Sequence, residues 1–251
     1  MTDAAEAHTE VMSLKGRGIV VSGGSTGIGR AIAVLLASEG ARVFIGGTDQ
    51  GHLNDALARI REVGEGEGIA LDLAEEANVG RFLAAAKAAF GGYDAVVANA
   101  AVGAGGVDEI DEAALRHAIA LNFTQYLLLS HAAAKEMDAG DIVLIGSMSA
   151  YALGPHSTVY AGIKSGLQGF SIALRRELGP KGIRVSLVEP GLTGSDMQLP
   201  DIQPDEQRRM IHEEKMLRAE DIAVGVHYLL TQPRRTVIQR LTISPRVQDE
   251  E

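Results

Sequence analysis

The chain has 251 residues, of which 46% are apolar and 22% charged, the balance of an ordinary globular domain. A formal net charge of −10 would repel nucleic acid and anionic membrane surfaces, and the absence of cysteine excludes disulfides and thiolate metal sites. We expect no nucleic-acid, membrane or metal partner. Since no apolar leader precedes the first strand either, we expect a cytoplasmic protein.

Short β-branched runs alternate with longer helical segments along the chain. The runs cover residues 18–22, 42–45, 68–71, 94–98, 141–145, 184–188 and 236–243, and the helical segments include 29–38, 79–90, 112–136 and 157–178. The first six runs are almost continuously apolar, as in strands covered on both faces, which predicts a parallel sheet with right-handed crossovers. We therefore expect one doubly wound α/β domain, a Rossmann fold of about seven strands.

This domain is predicted to cover residues 13–245, between a disordered tail at 1–12 and an acidic tail at 246–251. Residues 192–217 interrupt the alternation with a long segment that mixes Met, Leu and Ile with charges. Long segments after the carboxyl end of a strand are typical of substrate lids, because ligands of α/β sheets bind there. We expect this segment to be a lid.

The turn after the first strand is rich in glycine. It reads Ser22-Gly-Gly-Ser-Thr-Gly-Ile-Gly29, with glycines at 23, 27 and 29, and a helix follows at once. Glycine lets a pyrophosphate approach bare backbone at a helix N-terminus, where N–H groups favour anions. The loop therefore predicts a dinucleotide site, and the alternative is a simple glycine-rich βα turn.

Tyr160 and Lys164 stand four residues apart and so share one face of the fourth helix. An ammonium about 5 Å from a phenol contributes roughly 3 kcal/mol at an effective dielectric of about 20, which would lower the phenol pKa by about 2. Tyr160 would then exchange a proton with a substrate oxygen. The alternative is an exposed pair of side chains four residues apart on a surface helix.

Two further polar residues fit the same chemistry. Ser147 follows the fifth strand, where its hydroxyl would hydrogen-bond a reacting oxygen, and Ser149 is the alternative. Asn122 lies within a stripe of the third helical segment that is expected to be buried. That stripe contains Leu115, Ile119, Tyr126 and Leu129. Because a buried amide needs hydrogen-bond partners, Asn122 is either a functional residue or a satisfied core asparagine.

Together these motifs resemble the short-chain dehydrogenase/reductase family, in its single-domain subgroup of about 250 residues. The resemblance extends over roughly residues 14–244. It is carried by the glycine spacing, Leu71-Asp72-Leu73, Asn99-Ala100-Ala101, Ser147 thirteen residues before Tyr160, the Tyr160–Lys164 pair and Glu189-Pro190-Gly191. Ala101 replaces the usual glycine of the Asn-Ala-Gly motif, which should crowd the backbone slightly without abolishing binding.

The resemblance implies a role for each matching residue. Ser147, Tyr160 and Lys164 would be catalytic, and Asn122 would hold a water in a proton relay from the lysine. The implied cofactor-binding residues are Gly23, Ser25, Thr26, Gly27, Ile28, Gly29, Thr48, Asp72, Leu73, Asn99, Ala100, Tyr160, Lys164, Pro190, Gly191, Leu192 and Thr193.

The end of the second strand bears on the choice between NAD(H) and NADP(H). Enzymes that use NAD place an acid there, bonded to the ribose 2′-hydroxyl, but this chain has Gly47 at that position and neutral Thr48 next to it. Asp49 is close enough to support NAD(H) if the loop curls back. We predict NADP(H) over NAD(H), with the hydroxyls of Ser25 and Thr48 as phosphate ligands.

The resemblance implies an oxidoreductase that interconverts an alcohol and a ketone or aldehyde, with Tyr160 as acid/base and a small, partly apolar substrate. The predicted substrate residues are Ser147 and Tyr160, with Ser149, Tyr151, His156 and Met197 as further candidates. The alternative is a non-catalytic nucleotide-binding sensor or scaffold, against which the intact Ser147, Tyr160 and Lys164 argue. A sugar-nucleotide epimerase or dehydratase is less favoured. The family also implies a homotetramer, a dimer of dimers built through helical segments 112–136 and 157–178.

Overall fold

A single sheet of seven parallel strands organises the computed structural model, which describes residues 11–151, 153–199 and 201–247. The strand order is β3-β2-β1-β4-β5-β6-β7, so the order in which strands are added to the sheet reverses between β1 and β4. The strands are β1 (Gly18–Val21), β2 (Arg42–Gly47), β3 (Glu65–Ala70), β4 (Ala95–Ala98), β5 (Gly140–Ile145), β6 (Ile183–Pro190) and β7 (Arg240–Ile243). The predicted doubly wound α/β fold is confirmed.

Helices cover both faces of the sheet. They are α1 (Gly27–Ser38), α2 (Gln50–Val63), α3 (Glu76–Phe90), α4 (Glu112–Ile119), α5 (Gln125–Glu136), α6 (Thr158–Leu178), α7 (Pro204–His212) and α8 (Ala219–Leu230). Because strand side chains alternate, Ile19 and Val21 of β1 belong to the core under α1, α2 and α8, whereas Val20 belongs to the core under α3, α5 and α6. Each face of the sheet therefore has its own apolar core.

The seventh strand is shorter than predicted. It begins at Arg240 instead of residue 236. The preceding stretch is held by Arg184, whose Nη1 donates to the carbonyls of Gln232 (2.8 Å) and Thr236 (3.1 Å). Those carbonyls are satisfied by a guanidinium, so the stretch needs no neighbouring strand. The third strand, in turn, begins three residues earlier than predicted, at Glu65.

The helical segment predicted at 112–136 is interrupted by a π-helical turn at Ala120–Thr124. Such wide turns are rare and are frequent at functional sites. The turn changes which side chains face inward. Asn122, Tyr126 and Leu129 are fully buried, but Ile119 is 42% exposed, so the predicted buried stripe is wrong for its first turn.

The ends of the segment at 192–217 meet beside the sheet. Leu217 donates its backbone N–H to Leu192 O (2.8 Å), and Gly194 donates to Leu217 O (2.9 Å). The segment contains α7 and a short 3-10 turn at Asp196–Gln198. The two ends of the segment are thus hydrogen-bonded to each other. Part of the segment is helical, where the sequence predicts a continuous loop.

Both predicted tails fall only partly within the described residues. Residues 1–10 and 248–251 lie outside them. Met12 donates its backbone N–H to Thr231 O (2.8 Å), and Val247 donates to Glu214 O (3.0 Å). Over the ranges given above, no helix is both long and apolar enough to cross a membrane.

Candidate active site

A cleft of about 1870 Å³ opens along the carboxyl ends of the strands, at the point where the strand order reverses. Ligands of open α/β sheets bind at this position. Most of the predicted site residues line the cleft: Gly23, Ser25, Thr26, Gly27, Ile28, Thr48, Leu73, Asn99, Ala100, Ser147, Ser149, Tyr151, His156, Tyr160, Lys164, Pro190, Gly191, Leu192, Thr193 and Met197. Three predicted residues do not line it: Gly29, Asp72 and Asn122.

The glycine-rich loop forms the floor of one end of the cleft. Gly23 and Gly27 have left-handed φ angles of 63° and 50°, and a Cβ on Gly29 would lie 2.0 Å from Gly23 O. Only glycine fits at Gly29, because α1 packs directly against the turn that precedes it. Thr26 caps α1 without a side-chain hydrogen bond, so the first N–H groups of the helix keep no side-chain acceptor. The loop fits a pyrophosphate.

Asn99 supports this loop from behind. Its Nδ2 donates to Ser22 O and Gly23 O, both at 3.0 Å, and its backbone N–H donates to Ser22 Oγ (2.9 Å). The side-chain amide therefore holds the turn in shape. Asn99 would therefore contribute to a dinucleotide site by holding the loop backbone in position.

The end of β2 has no room for an acidic side chain. A Cβ on Gly47 would lie 2.3 Å from Ser25 Oγ and 2.7 Å from Ser25 Cβ. Asp49, the residue that would support NAD(H), instead caps α2 by accepting the backbone N–H of His52 (2.7 Å). That hydrogen bond is the main cause that lowers the pKa of Asp49. The end of β2 itself therefore carries no carboxylate, and the ionised carboxylate of Asp49 is bonded to the N-terminus of α2.

Asp72 lies beside the cleft rather than in its wall. Its Oδ1 accepts the backbone N–H of Ala74 (2.9 Å), which shapes the turn between β3 and α3. The neighbouring Leu71 and Leu73 do line the cleft and are buried. An apolar surface for a flat ring is therefore present at this end.

Tyr160, Lys164 and Ser147 come together at the other end of the cleft. Lys164 Nζ lies 5.4 Å from the centre of the Tyr160 ring and 5.2 Å from that of the Tyr126 ring. It donates to Ile145 O, at the end of β5 (2.9 Å), and the residue is 1% exposed. The hydroxyl of Ser147 hydrogen-bonds that of Tyr160 and approaches Ser149 Oγ to 3.0 Å.

The pKa values of the pair differ from the sequence-based expectation. Burial raises the pKa of Tyr160 to about 12, although the hydrogen bond from Ser147 acts in the opposite direction. Burial also lowers the pKa of Lys164 to about 7. The expectation that the ammonium lowers the tyrosine pKa is wrong for the protein alone, because desolvation disfavours both charged forms. In this state the phenol holds its proton at neutral pH.

Asn122 is fixed by a single neighbour. Its Oδ1 accepts the backbone N–H of Val102 (2.8 Å), and its Nδ2 donates to Val102 O (2.7 Å). The amide thus joins the π-helical turn to the loop after β4. These contacts are those of a satisfied core asparagine, one of the two alternatives that the sequence allows.

The four further substrate candidates all border the cleft. Tyr151 donates its hydroxyl to Glu189 and remains 45% exposed, and Met197 is 40% exposed. His156, which has a left-handed φ of 66°, pairs through Nδ1 with Glu109 Oε1 (2.6 Å). Ser149 Oγ lies 3.0 Å from Ser147 Oγ.

Glu189, which the sequence analysis names only as part of the Glu189-Pro190-Gly191 motif, lies directly before the Pro190-Gly191 turn that lines the cleft. It is fully buried and accepts hydrogen bonds from Tyr151, Gln168 and Thr242. The available signal was a carboxylate that ends the apolar run of β6, next to Pro190. We find no cluster of three or more histidine or acidic side chains able to hold a metal within the described part of the chain.

These features define a class of dinucleotide-binding folds. They are a doubly wound sheet, a glycine-rich turn after its first strand, and a serine, a tyrosine and a lysine at the carboxyl ends of its strands. The family model for short chain dehydrogenases matches residues 17–206. The chain belongs to this family and is an oxidoreductase.

Relatives with this fold occur in several bacteria. An uncharacterised oxidoreductase of Methylorubrum extorquens is 35% identical over 71% of this chain and 73% of its own length, and one from Staphylococcus aureus is 28% identical over 90% and 96%. A short chain dehydrogenase from Burkholderia cenocepacia, solved in complex with NADP, has a TM-score of 0.83 at 32% identity over 92% and 98%. A short-chain dehydrogenase/reductase from Serratia marcescens has a TM-score of 0.82, also at 32% identity, over 92% and 97%.

Proposed function

We propose that this protein is an NADP(H)-linked oxidoreductase that interconverts an alcohol and a ketone or aldehyde, with Tyr160 as the acid/base. One observation supports the proposal above all. A phenol hydrogen-bonded to a serine stands beside a buried lysine at the ligand edge of the sheet. A pure structural role gives no reason to bury Lys164 there, because burying an unpaired ammonium is unfavourable.

The cofactor would lie along the cleft. The loop at Gly23–Gly29 would bind the pyrophosphate, the surface near Leu73 the adenine, and the turn of Pro190, Gly191 and Leu192 the nicotinamide. A nicotinamide cofactor supplies or accepts a hydride when bound. Thr193 contributes through the turn itself, since its Oγ1 already donates to Gly191 O (2.9 Å).

In the reduction direction, Tyr160 donates its proton to the oxygen of the substrate. With a pKa of about 12, the phenol is fully protonated at neutral pH and can act as the acid. Ser147 donates a hydrogen bond to the same oxygen and so stabilises the developing negative charge. Lys164, with a pKa of about 7, carries charge in part of the molecules and stabilises the phenolate that remains. A water held by Asn122, through the donor and acceptor capacity that Val102 does not use, would link Lys164 to bulk solvent and complete the proton relay.

Steric and electrostatic features favour NADP(H). Ser25 occupies the space that an acidic side chain at position 47 would need, and Asp49 is engaged as a helix cap. Ser25 and Thr48 both line the cleft, and their hydroxyls are proposed to bind the 2′-phosphate. The related protein from Burkholderia cenocepacia is in complex with NADP, which agrees with this preference.

The substrate is proposed to be small and partly apolar. The cleft around Tyr160 is bordered by Tyr151, Leu192 and Met197, together with the ion pair of His156 and Glu109. The segment at 192–217 is proposed as the lid, because its closed base places Leu192 and Met197 against the cleft.

We also propose a cytoplasmic homotetramer built through α4, α5 and α6. Ile119 and Ile172, on α4 and α6, are 42% and 43% exposed in the single chain. A partner subunit would cover such apolar surface. Two small residues of these helices are not available to a partner subunit, because Ala133 is fully buried and a Cβ on Gly166 would lie 3.1 Å from Phe123. The contact between subunits would therefore use other residues of the same helices.

A panel of ketones and aldehydes, assayed at 340 nm with NADPH and with NADH, tests the proposal. We expect turnover of at least one carbonyl, with kcat/KM more than tenfold higher for NADPH. Binding of both cofactors would be measured in parallel by fluorescence. NADPH binding without turnover across the panel would favour the sensor instead, and a tenfold preference for NADH would overturn the cofactor assignment.

A further inference from the structure

Glu189 is a fully buried carboxylate at the end of β6, directly before the Pro190-Gly191 turn. Its Oε1 accepts Gln168 Nε2 (2.7 Å), from the helix that carries Tyr160. Its Oε2 accepts the Tyr151 hydroxyl and lies 3.2 Å from Arg240 Nε. Both oxygens of this buried carboxylate have hydrogen-bond partners, and the carboxylate in turn fixes the positions of those partner side chains.

Tyr151 is the partner that reaches the cleft. Tyr151 lines the same cleft as Tyr160, and its hydroxyl donates to Glu189. The guanidinium of Arg240 lies 5.5 Å from the ring centre. Burial and the neighbouring carboxylate raise the pKa of Tyr151, so the phenol keeps its proton and remains the donor. The ring is therefore held at both its hydroxyl and its face.

The loop from Ser147 to Tyr151 transmits this anchoring to the proposed catalytic serine. Ala150 donates its backbone N–H to Ser147 O (3.2 Å), and Tyr151 donates to Met148 O (2.8 Å). Such a single 3-10 turn is short and has weak hydrogen-bond geometry, so it depends on what holds its end. Glycine at position 146 leaves room for the carboxylate, because a Cβ there would lie 3.2 Å from Glu189 Cγ.

We propose that Glu189 is a positioning residue that, through the Tyr151 hydroxyl, fixes the loop of Ser147–Tyr151 and makes the Tyr151 ring a rigid wall of the substrate side of the cleft. The expected effect on KM rests on the proposed function, whereas the anchoring of the loop by Glu189 does not. Buried ionic groups cost desolvation, and one attested reason to retain them is a unique local conformation.

The direct test uses Tyr151→Phe and Glu189→Gln, both of which nearly preserve side-chain volume. Tyr93→Phe is the control, because it also removes a phenolic oxygen, from a buried tyrosine that lies before the amino end of β4. Hydrogen–deuterium exchange of residues 147–151 is measured without ligand. We expect at least fivefold faster exchange in both variants and no change in the control. Unchanged exchange in Tyr151→Phe would overturn the proposal, even if Glu189→Gln fails to fold.

Kinetics then separate positioning from simple stability. With the carbonyl that the wild-type protein reduces fastest, we expect Tyr151→Phe to raise KM five- to twentyfold and to lower kcat by a smaller factor, because Ser147 lies on the loosened loop, while the Kd for NADPH changes less than threefold. The double variant should add less than twofold to that KM. A KM within twofold of wild type would overturn the proposed wall. If the wild-type protein reduces no carbonyl, the proposed function fails, and the exchange result still decides the anchoring.

Discussion

The two ends of β5 carry buried charges in opposite situations. At the amino end, Asp141 is 4% exposed and pairs with Arg17 and Arg184, each at 2.6 Å. Beyond the carboxyl end, the ammonium of Lys164 is held by Ile145 O and two aromatic rings, and no ion pair of Lys164 occurs among the described residues. One charge is matched and the other is not.

This contrast separates structural from functional burial. A matched charge holds elements together, here β5, β6 and the segments around Arg17 and Leu230. An unmatched charge destabilises the fold and has a shifted pKa, which is the pattern found at active sites. The comparison therefore predicts that variants at the two ends change stability in opposite directions.

The largest effect on stability is expected at the amino end. Asp141→Asn would leave the buried guanidinium of Arg184 without its carboxylate, and the free energy of unfolding should fall by roughly 3–5 kcal/mol. Urea denaturation measures the change. Asp55→Asn is the control, because its pairs with Arg30 and Arg59 are exposed, and it should lose less than about 1 kcal/mol. Equal losses in the two variants would contradict the account.

At the carboxyl end, Lys164→Met should stabilise the protein while impairing turnover. Removing an unmatched buried charge should raise the free energy of unfolding by roughly 1–3 kcal/mol near pH 7. In the wild type, the pKa of Lys164 in the folded protein, about 7, lies below the ordinary lysine value of 10.5, so the folded protein binds fewer protons than the unfolded chain between these pH values. Its stability should thus rise with pH across this window, and the variant should lose that rise. A Lys164→Met variant that is less stable than the wild type, and whose free energy of unfolding depends on pH as in the wild type, would contradict the account.

A smaller effect is expected at the cofactor end of the cleft. Replacing Ser25 and Thr48 together by Ala should raise KM for NADPH about tenfold, because hydrogen bonds to a charged phosphate contribute roughly 1.5–3 kcal/mol each before exposure weakens them. KM for NADH should stay within twofold. Ser38→Ala removes a hydroxyl at the far end of α1 and serves as the control. Equal increases for the two cofactors would show that neither hydroxyl reads the 2′-phosphate.

The fold could be predicted from the sequence because its signal is local. The strands β1, β4, β5 and β6 are buried along their whole length, and the sequence shows it most clearly in β4, which is Ala-Val-Val-Ala, and in the Ile-Val-Leu-Ile of β5. In β6 the apolar residues are interrupted by Arg184, Ser186 and Glu189. The glycine-rich loop was also readable, since close packing at Gly29 excludes every other residue.

Other features depend on contacts between distant segments, which no local pattern encodes. The π-helical turn at Ala120–Thr124 contains neither glycine nor proline and is fixed by Val102, twenty residues before Asn122. The direction of the Tyr160 pKa shift depends on burial, which four-residue spacing does not reveal. Asp49 was readable as an acid near the ribose, but its capping of α2 was not.

Proton donation by Tyr160 is the central claim, and Tyr160→Phe tests it most directly. We expect kcat/KM for carbonyl reduction to fall at least ~10²–10³-fold, as for loss of an acid catalyst, with the Kd for NADPH within threefold of wild type. Tyr126→Phe, which removes a hydroxyl beside the same lysine, should lose less than tenfold.

The pH profile completes this measurement. With a tyrosine pKa of about 12, the rate of wild-type carbonyl reduction should not depend on tyrosine ionisation near neutrality. The rate of alcohol oxidation should rise with pH in the wild type, and this rise should be absent in Tyr160→Phe. A Tyr160→Phe variant that keeps more than a tenth of the wild-type rate would contradict the account.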